Sequence, residues 1–471
     1  MKKNFFYLFA FCLLIFSASA SAVDKLTLIQ AVQRTLENYP DLKLADLDVE
    51  HARQELPQIE SQTGFVVSGK SGYSRDLSFI GTPSDNFNVA GELDRTLKTG
   101  ERIGLSTSYR REDNSGGTFF PGYPNPANNI TVDLSYRKPF RRGDGNPEFN
   151  QGLIIAGTQV DIAEANRREQ QEQLASQVID LFYSTLFTHY RMDNSQQAIE
   201  RARRLKKYIN KRVDLGLAET KDRLQAEARL RAEEASYHSL QLTWKQQLVT
   251  LNRLTGAPWD SEIDLLPLLE TFPVSAAAID DFLAEAEAFS PVLARAQGRL
   301  EVARAVIEQR RNARKDTLDL VISAGVRNLS GDTGRGSVSN SDWAGGVSIE
   351  YQRALERRGF DAALYQAQLE RDRVFQEIEA VRYQLRYQIS SLVAEIVENQ
   401  KTVESYQRRL ASETAKYHES ERLYQAARLE TNLVIQHEAE LQAAELALHQ
   451  QRVELLKRYA KLALLRGKLY P

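Results

Sequence analysis

The chain has 471 residues, of which 42% are hydrophobic and 26% charged, with a formal net charge of -2. An apolar fraction this ordinary excludes a polytopic helical membrane protein, and charge this close to neutral gives no footprint for nucleic acid. The only cysteine is Cys12, which excludes a disulfide scaffold, a cysteine hydrolase and a cysteine metal site.

The chain opens with Lys2-Lys3, an apolar stretch from Phe5 to Phe16, and the small residues Ser17 to Ala22. That order predicts a secretory signal peptide over 1–22, cut between Ala22 and Val23. Cys12 would leave with it, and its neighbours do not read as a lipid-anchor site. No later run approaches 18 apolar residues, so any membrane-spanning part must be β-structure.

A helical pattern runs from Thr27 to about Glu60, interrupted at Pro40. From Thr63 to Phe140 the texture changes to Gly, Ser, Tyr and Thr in alternation. Phe65, Val67 and Tyr73 alternate with Val66, Ser68 and Lys70; Ile103, Leu105, Thr107 and Tyr109 alternate with Gly104, Ser106 and Ser108. Ile130, Val132, Leu134 and Tyr136 against Thr131, Asp133, Ser135 and Arg137 is the cleanest case. Strands with one apolar and one polar face, about 8–10 residues long, have the pattern of outer-membrane barrel strands. A weaker strand, Phe87 to Leu97, meets the Ile103 strand through Lys98-Thr99-Gly100. Phe119, Phe120 and Tyr123 fall in a Gly/Pro/Asn loop and read equally as an aromatic girdle or a surface loop.

A long helix is predicted from about Asn150 to Val213, broken at Leu215-Gly216-Leu217, with Thr220 capping a return helix to Leu254. A mixed stretch through Pro267 and Pro273 follows, and then the pattern restarts. Asn38-Tyr39-Pro40-Asp41-Leu42 is echoed by Phe289-Ser290-Pro291-Val292-Leu293, and strand alternation returns at Leu318–Arg327 and Gly345–Gln352. Gly331 to Gly336 reads as a hairpin loop, since no Lys-Ser/Thr or helix follows to make a phosphate loop. The last two helices are a rod over Asp361–Gln425 and a return helix with Val434, Leu441, Leu448, Leu455, Leu462 and Leu469 at every seventh position. The rod's seam (Val374, Ile378, Val381, Leu385, Ile389, Leu392, Ile396, Asn399, Val403) steps by four and three, a heptad, and the whole rod would span about 97 Å at 1.5 Å per residue. Asn399 reads as a register-setting residue. The order helix, strands, long helix, shorter helix thus occurs twice, over 23–273 and 274–471, an internal duplication.

One chain offers about four good strands, or six if the hairpin at 87–110 joins them, while closed membrane barrels start at about eight. Strand edges cannot be left open in lipid, so a membrane sheet here requires several copies to share one barrel.

Three motifs carry a family resemblance: Leu36-Glu37-Asn38-Tyr39-Pro40-Asp41-Leu42, Arg212 through Ala228 across the first helical turn, and Leu251-Asn252-Arg253-Leu254-Thr255-Gly256. With them and its duplication, the chain resembles the TolC-like outer-membrane efflux protein family. The resemblance implies a mainly α fold with a membrane β-barrel portion: long antiparallel coiled-coil helices forming a tunnel, about four barrel strands per chain, and a homotrimer with a 12-stranded shared barrel. It implies a passive exit duct in the outer membrane of a Gram-negative cell, extending into the periplasm, for efflux or type I secretion. Its partners would be further copies of itself, outer-membrane lipid, a periplasmic adaptor (membrane fusion protein) and an inner-membrane pump of RND, ABC or MFS type, with no cofactor. The adaptor-docking tips carry over to Leu215, Gly216 and Leu217 and, through the offset that pairs Glu219 with Glu430 and Thr220 with Thr431, to Ala427, Arg428 and Leu429. The periplasmic entrance carries over to Asp222, Leu433 and Gln436. Ala427 replaces the usual tip glycine, and Leu433 stands where an Asp is usual, which argues against an acidic gate from the second half.

The rival reading is a periplasmic coiled-coil adaptor or scaffold without a membrane barrel. An enzyme is not supported: the six histidines are scattered, and neither a metal-ligand motif nor a nucleophile elbow with its triad is found.

Overall fold

The computed structural model describes residues 24–77, 81–117, 122–267, 272–426 and 428–470. The predicted signal peptide with Ala22 and Val23, the loop residues Phe119 and Phe120, and Ala427 lie outside them. The elements run β1 (Asp24–Thr27), α1 (Leu28–Asn38), α2 (Pro40–Ser61), β2 (Phe65–Leu77), β3 (Pro83–Thr96), β4 (Arg102–Asn114), β5 (Ala127–Pro139), α3 (Pro147–Asp214), α4 (Thr220–Thr255), β6 (Ile263–Leu266), α5 (Ile279–Phe289), α6 (Pro291–Ala313), β7 (Thr317–Thr333), β8 (Gly336–Gln352), α7 (Arg358–Gln425) and α8 (Thr431–Leu465). Helices α3 and α7 are each 68 residues long, and α4 and α8 have 36 and 35. The helix breaks fall where they were read: before Pro40, after Asp214 and after Gln425.

The chain divides into two compact units. One comprises 1–44, 168–291 and 382–471; the other comprises 45–167 and 292–381.

In the first unit, Thr27 and Gln30 form a capping box: the Gln30 N–H donates to Thr27 Oγ1 at 3.3 Å and the Thr27 N–H to Gln30 Oε1 at 3.0 Å. The cap starts α1 with Leu28, Ala31, Val32 and Thr35 buried on one stripe. That stripe packs on Val178, Ile179 and Phe182 of α3, Leu251 of α4 and Ala460 of α8. The "mixed stretch" after α4 contains β6, which pairs in parallel with β1 from Asp24↔Ile263 to Thr27↔Leu266. A second cluster sets Ile389, Val393 and Ile396 of α7 against Phe282 and Ala286 of α5 and Leu462 of α8. The seam residue Asn399 is buried along with Ile396 and Val403.

The second unit carries one antiparallel sheet in the order β2-β3-β4-β5-β7-β8. It has six strands where about four were expected, because the hairpin at 87–110 is fully paired within it: β3 bonds β2 on one side and β4 bonds β5 on the other. Strands of 13–17 residues run past the predicted apolar segments into polar ends. The stretch from Gly331 to Gly336 narrows to a tight turn between β7 and β8. Beside the sheet, α6 and α7 share a cluster of Leu293, Ala296 and Ile378. The absent side chain of Gly298 lets α6 approach α3, since a Cβ there would lie 2.8 Å from Ile162 Cγ1.

Candidate functional site: the paired helical turns

The first turn follows α3. The Gly216 N–H donates to Val213 O at 2.9 Å and the Leu217 N–H to Arg212 O at 2.7 Å, a Schellman closure that satisfies two orphan carbonyls. Gly216 sits at φ +70° with nothing near where a Cβ would stand. Both flanking leucines point outward, Leu215 72% and Leu217 63% exposed. The cap of α4 is Glu219 rather than Thr220, which occupies the first helical position. Asp222 is occupied locally, accepting from the Glu219 N–H at 3.1 Å.

At the second turn the Arg428 N–H donates to Leu423 O at 2.9 Å, the same long closure as at Leu217. Arg428 is exposed, whereas Leu429 packs into a cluster of Ile209, Ala226, Tyr424 and Val434. Leu433 stands at the third position of α8, the place Asp222 holds in α4, and is 37% exposed. A leucine there cannot complete the capping carboxylate. Gln436 is exposed and donates along its own helix to Glu440 Oε1 at 2.9 Å.

The two turns are held together. Gln225 Nε2 donates to Asn432 Oδ1 at 3.0 Å, so Gln225, not Asp222, bridges the starts of α4 and α8. The Arg212 guanidinium lies over Tyr208 and Tyr424, 5.9 and 5.4 Å from the ring centroids, and those rings meet edge-on at 5.4 Å.

Above this junction lies a buried ionic network that the sequence reading missed. Arg201 Nε donates to Glu438 Oε1 at 3.3 Å, and Arg229 reaches Glu233 at 2.9 Å and Gln442 Oε1 at 2.9 Å. Burial pushes the Glu438 carboxyl above its ordinary range, against the opposing pull of Arg229 and Arg201. The available signal was spacing: Glu438 falls four residues after Val434 and three before Leu441, on the heptad seam itself.

Among the described residues no cluster of potential metal ligands gathers, and no helix is long and apolar enough to cross a membrane.

A single antiparallel sheet with one apolar and one polar face, joined in sequence to 68-residue helices that reverse through paired turns, is the fold of a TolC-like outer-membrane channel subunit. Residues 102–257 match the family described as outer membrane efflux protein, and the chain resembles that family as its motifs implied. Among solved structures, the outer-membrane channel OprN superposes with a TM-score of 0.69 at 17% identity, covering 94% of this chain and 90% of its own. The outer membrane protein VceC from Vibrio cholerae gives 0.67 at 16% identity, covering 93% and 96%. The CmeC outer membrane channel of Campylobacter jejuni gives 0.65 at 15%, covering 94% and 86%. No curated relative matches the chain at the sequence level.

Proposed function

We propose that this protein is the outer-membrane exit duct of a tripartite efflux or type I secretion system, a passive conduit that assembles as a homotrimer and extends into the periplasm. The observation that carries the reading is the two-faced sheet. Val67, Leu134, Val347 and Ile349 stand out from one face, between 53% and 79% exposed. A face that apolar suits hydrocarbon, and the opposite, polar face suits a water-filled lumen. A soluble adaptor would not expose it, which disfavours the periplasmic scaffold reading.

The two halves, 23–273 and 274–471, are read as duplicated repeats, each supplying one long and one return helix to the tunnel. The paired turns would dock a periplasmic adaptor: Leu215, Gly216 and Leu217 from the first, Ala427, Arg428 and Leu429 from the second. The exposed leucines and Arg428 supply apolar and cationic contacts. Asp222, Leu433 and Gln436 would line the periplasmic entrance, with Asp222 the only carboxylate of the three. The inner-membrane pump, of RND, ABC or MFS type, supplies the energy and selects the cargo.

Fractionation tests the reading. Recovery from outer membranes, as a trimer after detergent extraction, is expected. A monomer in the soluble periplasmic fraction that never trimerises in detergent would overturn it.

A further inference from the structure

We infer that every copy contributes six strands to the shared barrel, hairpin β3–β4 included, so that a trimer closes an eighteen-stranded wall rather than a twelve-stranded one. The inference rests on the membrane-channel reading above and adds the strand number.

The argument is the register. Directly opposed residues of neighbouring antiparallel strands project to the same face. Val67↔Leu93, Leu93↔Leu105 and Leu105↔Leu134 are successive partners across β2, β3, β4 and β5. One residue along, Ser68↔Glu92, Glu92↔Ser106 and Ser106↔Asp133 make the matching row on the other face. The apolar face therefore crosses the hairpin without a break, and so does the polar one. A hairpin lying outside the wall, over the lumen or on the cell surface, would have no use for a leucine row in register with the lipid-facing leucine of β5.

One further feature holds the hairpin in place. Its turn is knitted to the loop before α3: the Gly145 N–H donates to Thr99 O at 3.1 Å, and Asn146 Nδ2 to Leu97 O at 3.2 Å. The outer strands of the sheet are β2 and β8, and the alternating order makes them antiparallel to each other. The β8 edge of one copy can then accept the β2 edge of the next, a head-to-tail contact that closes as a ring. Barrel diameter grows about linearly with strand number, so the mouth would be about one and a half times as wide as a twelve-stranded one.

Nitroxide labels decide the matter, placed singly in a Cys12→Ser background of the full chain in outer-membrane vesicles. Leu93→Cys and Leu105→Cys test the hairpin's apolar face, Ser106→Cys its polar face, and Leu134→Cys on β5 is the reference. Positions 93, 105 and 134 are expected to relax with dissolved oxygen at least several-fold more than with a water-soluble nickel chelate, and position 106 the reverse. Nickel access at 93 and 105, with 134 still oxygen-dominated, would overturn the six-strand wall. Nickel access at 134 as well would instead overturn the membrane reading on which the wall depends.

Discussion

Gly100 and Gly143 meet backbone to backbone: a Cβ on Gly100, whose φ is +96°, would lie 2.3 Å from the Gly143 carbonyl oxygen. This contact joins the β3–β4 turn to the loop leaving β5, and only glycine fits it. Gly100→Ala should therefore incur both the left-handed backbone strain and the clash, about 2–4 kcal/mol in all. The expected outcome is a lower melting temperature of the detergent-solubilised protein. Gly216→Ala, where φ is +70° and the space is open, should cost only about 1 kcal/mol. Equal losses at the two sites would show that the Gly100 contact contributes nothing.

Arg201 and Glu438 pair where almost no water reaches them, with side chains 10% and 2% exposed. Glu438→Ala should destabilise by about 3 kcal/mol, because it leaves a buried guanidinium whose remaining ion pair among the described residues is the longer contact to Glu445, at 3.7 Å. The double variant Arg201→Met with Glu438→Leu should recover most of that loss. Thermal unfolding of the detergent-solubilised protein reads both. A double variant as unstable as the single one would rule out an uncompensated charge as the cause.

Burial, with help from the neighbouring Glu169, raises the Glu172 carboxyl from its ordinary 4.5 to about 7. The folded state then holds a proton that the unfolded chain has released. Stability from this group is complete below pH 4.5 and is lost as pH rises towards 7. The side chain is only half-buried, so solvent screening limits the effect to about 1 kcal/mol. Glu172→Gln should flatten the fall in melting temperature across that interval; an unchanged slope would assign it to other groups.

Leu217→Asp places a charge on the exposed leucine of the first turn, and Gly216→Pro removes the N–H that closes it on Val213. Both should abolish transport while the protein still inserts into the outer membrane. Export by these variants at the wild-type rate would remove the docking role of that turn.

Much of this molecule was legible because its signals are local. Period-two alternation marks the strands whatever they pair with, and the four-three seam of α7 marks a packed helix whatever lies beside it. The turns were legible too, since Gly216 and Gly256 stand where left-handed caps are needed. Thr220 was misread as a cap because Glu219 and Asp222 share that task through a backbone bond. The weaker alternation of β3, with Asn88, Glu92 and Asp94 between apolar residues, left its place open.

The sequence by itself determined the two-faced strands, the heptad helices and the places where the chain reverses, because each follows from residues within a few positions of one another. Only the tertiary structure decided which strands share the sheet, that four residues of β1 find β6, and that Glu438 meets Arg201 from 237 positions away. Those choices depend on register and burial between distant segments, and no local period encodes them.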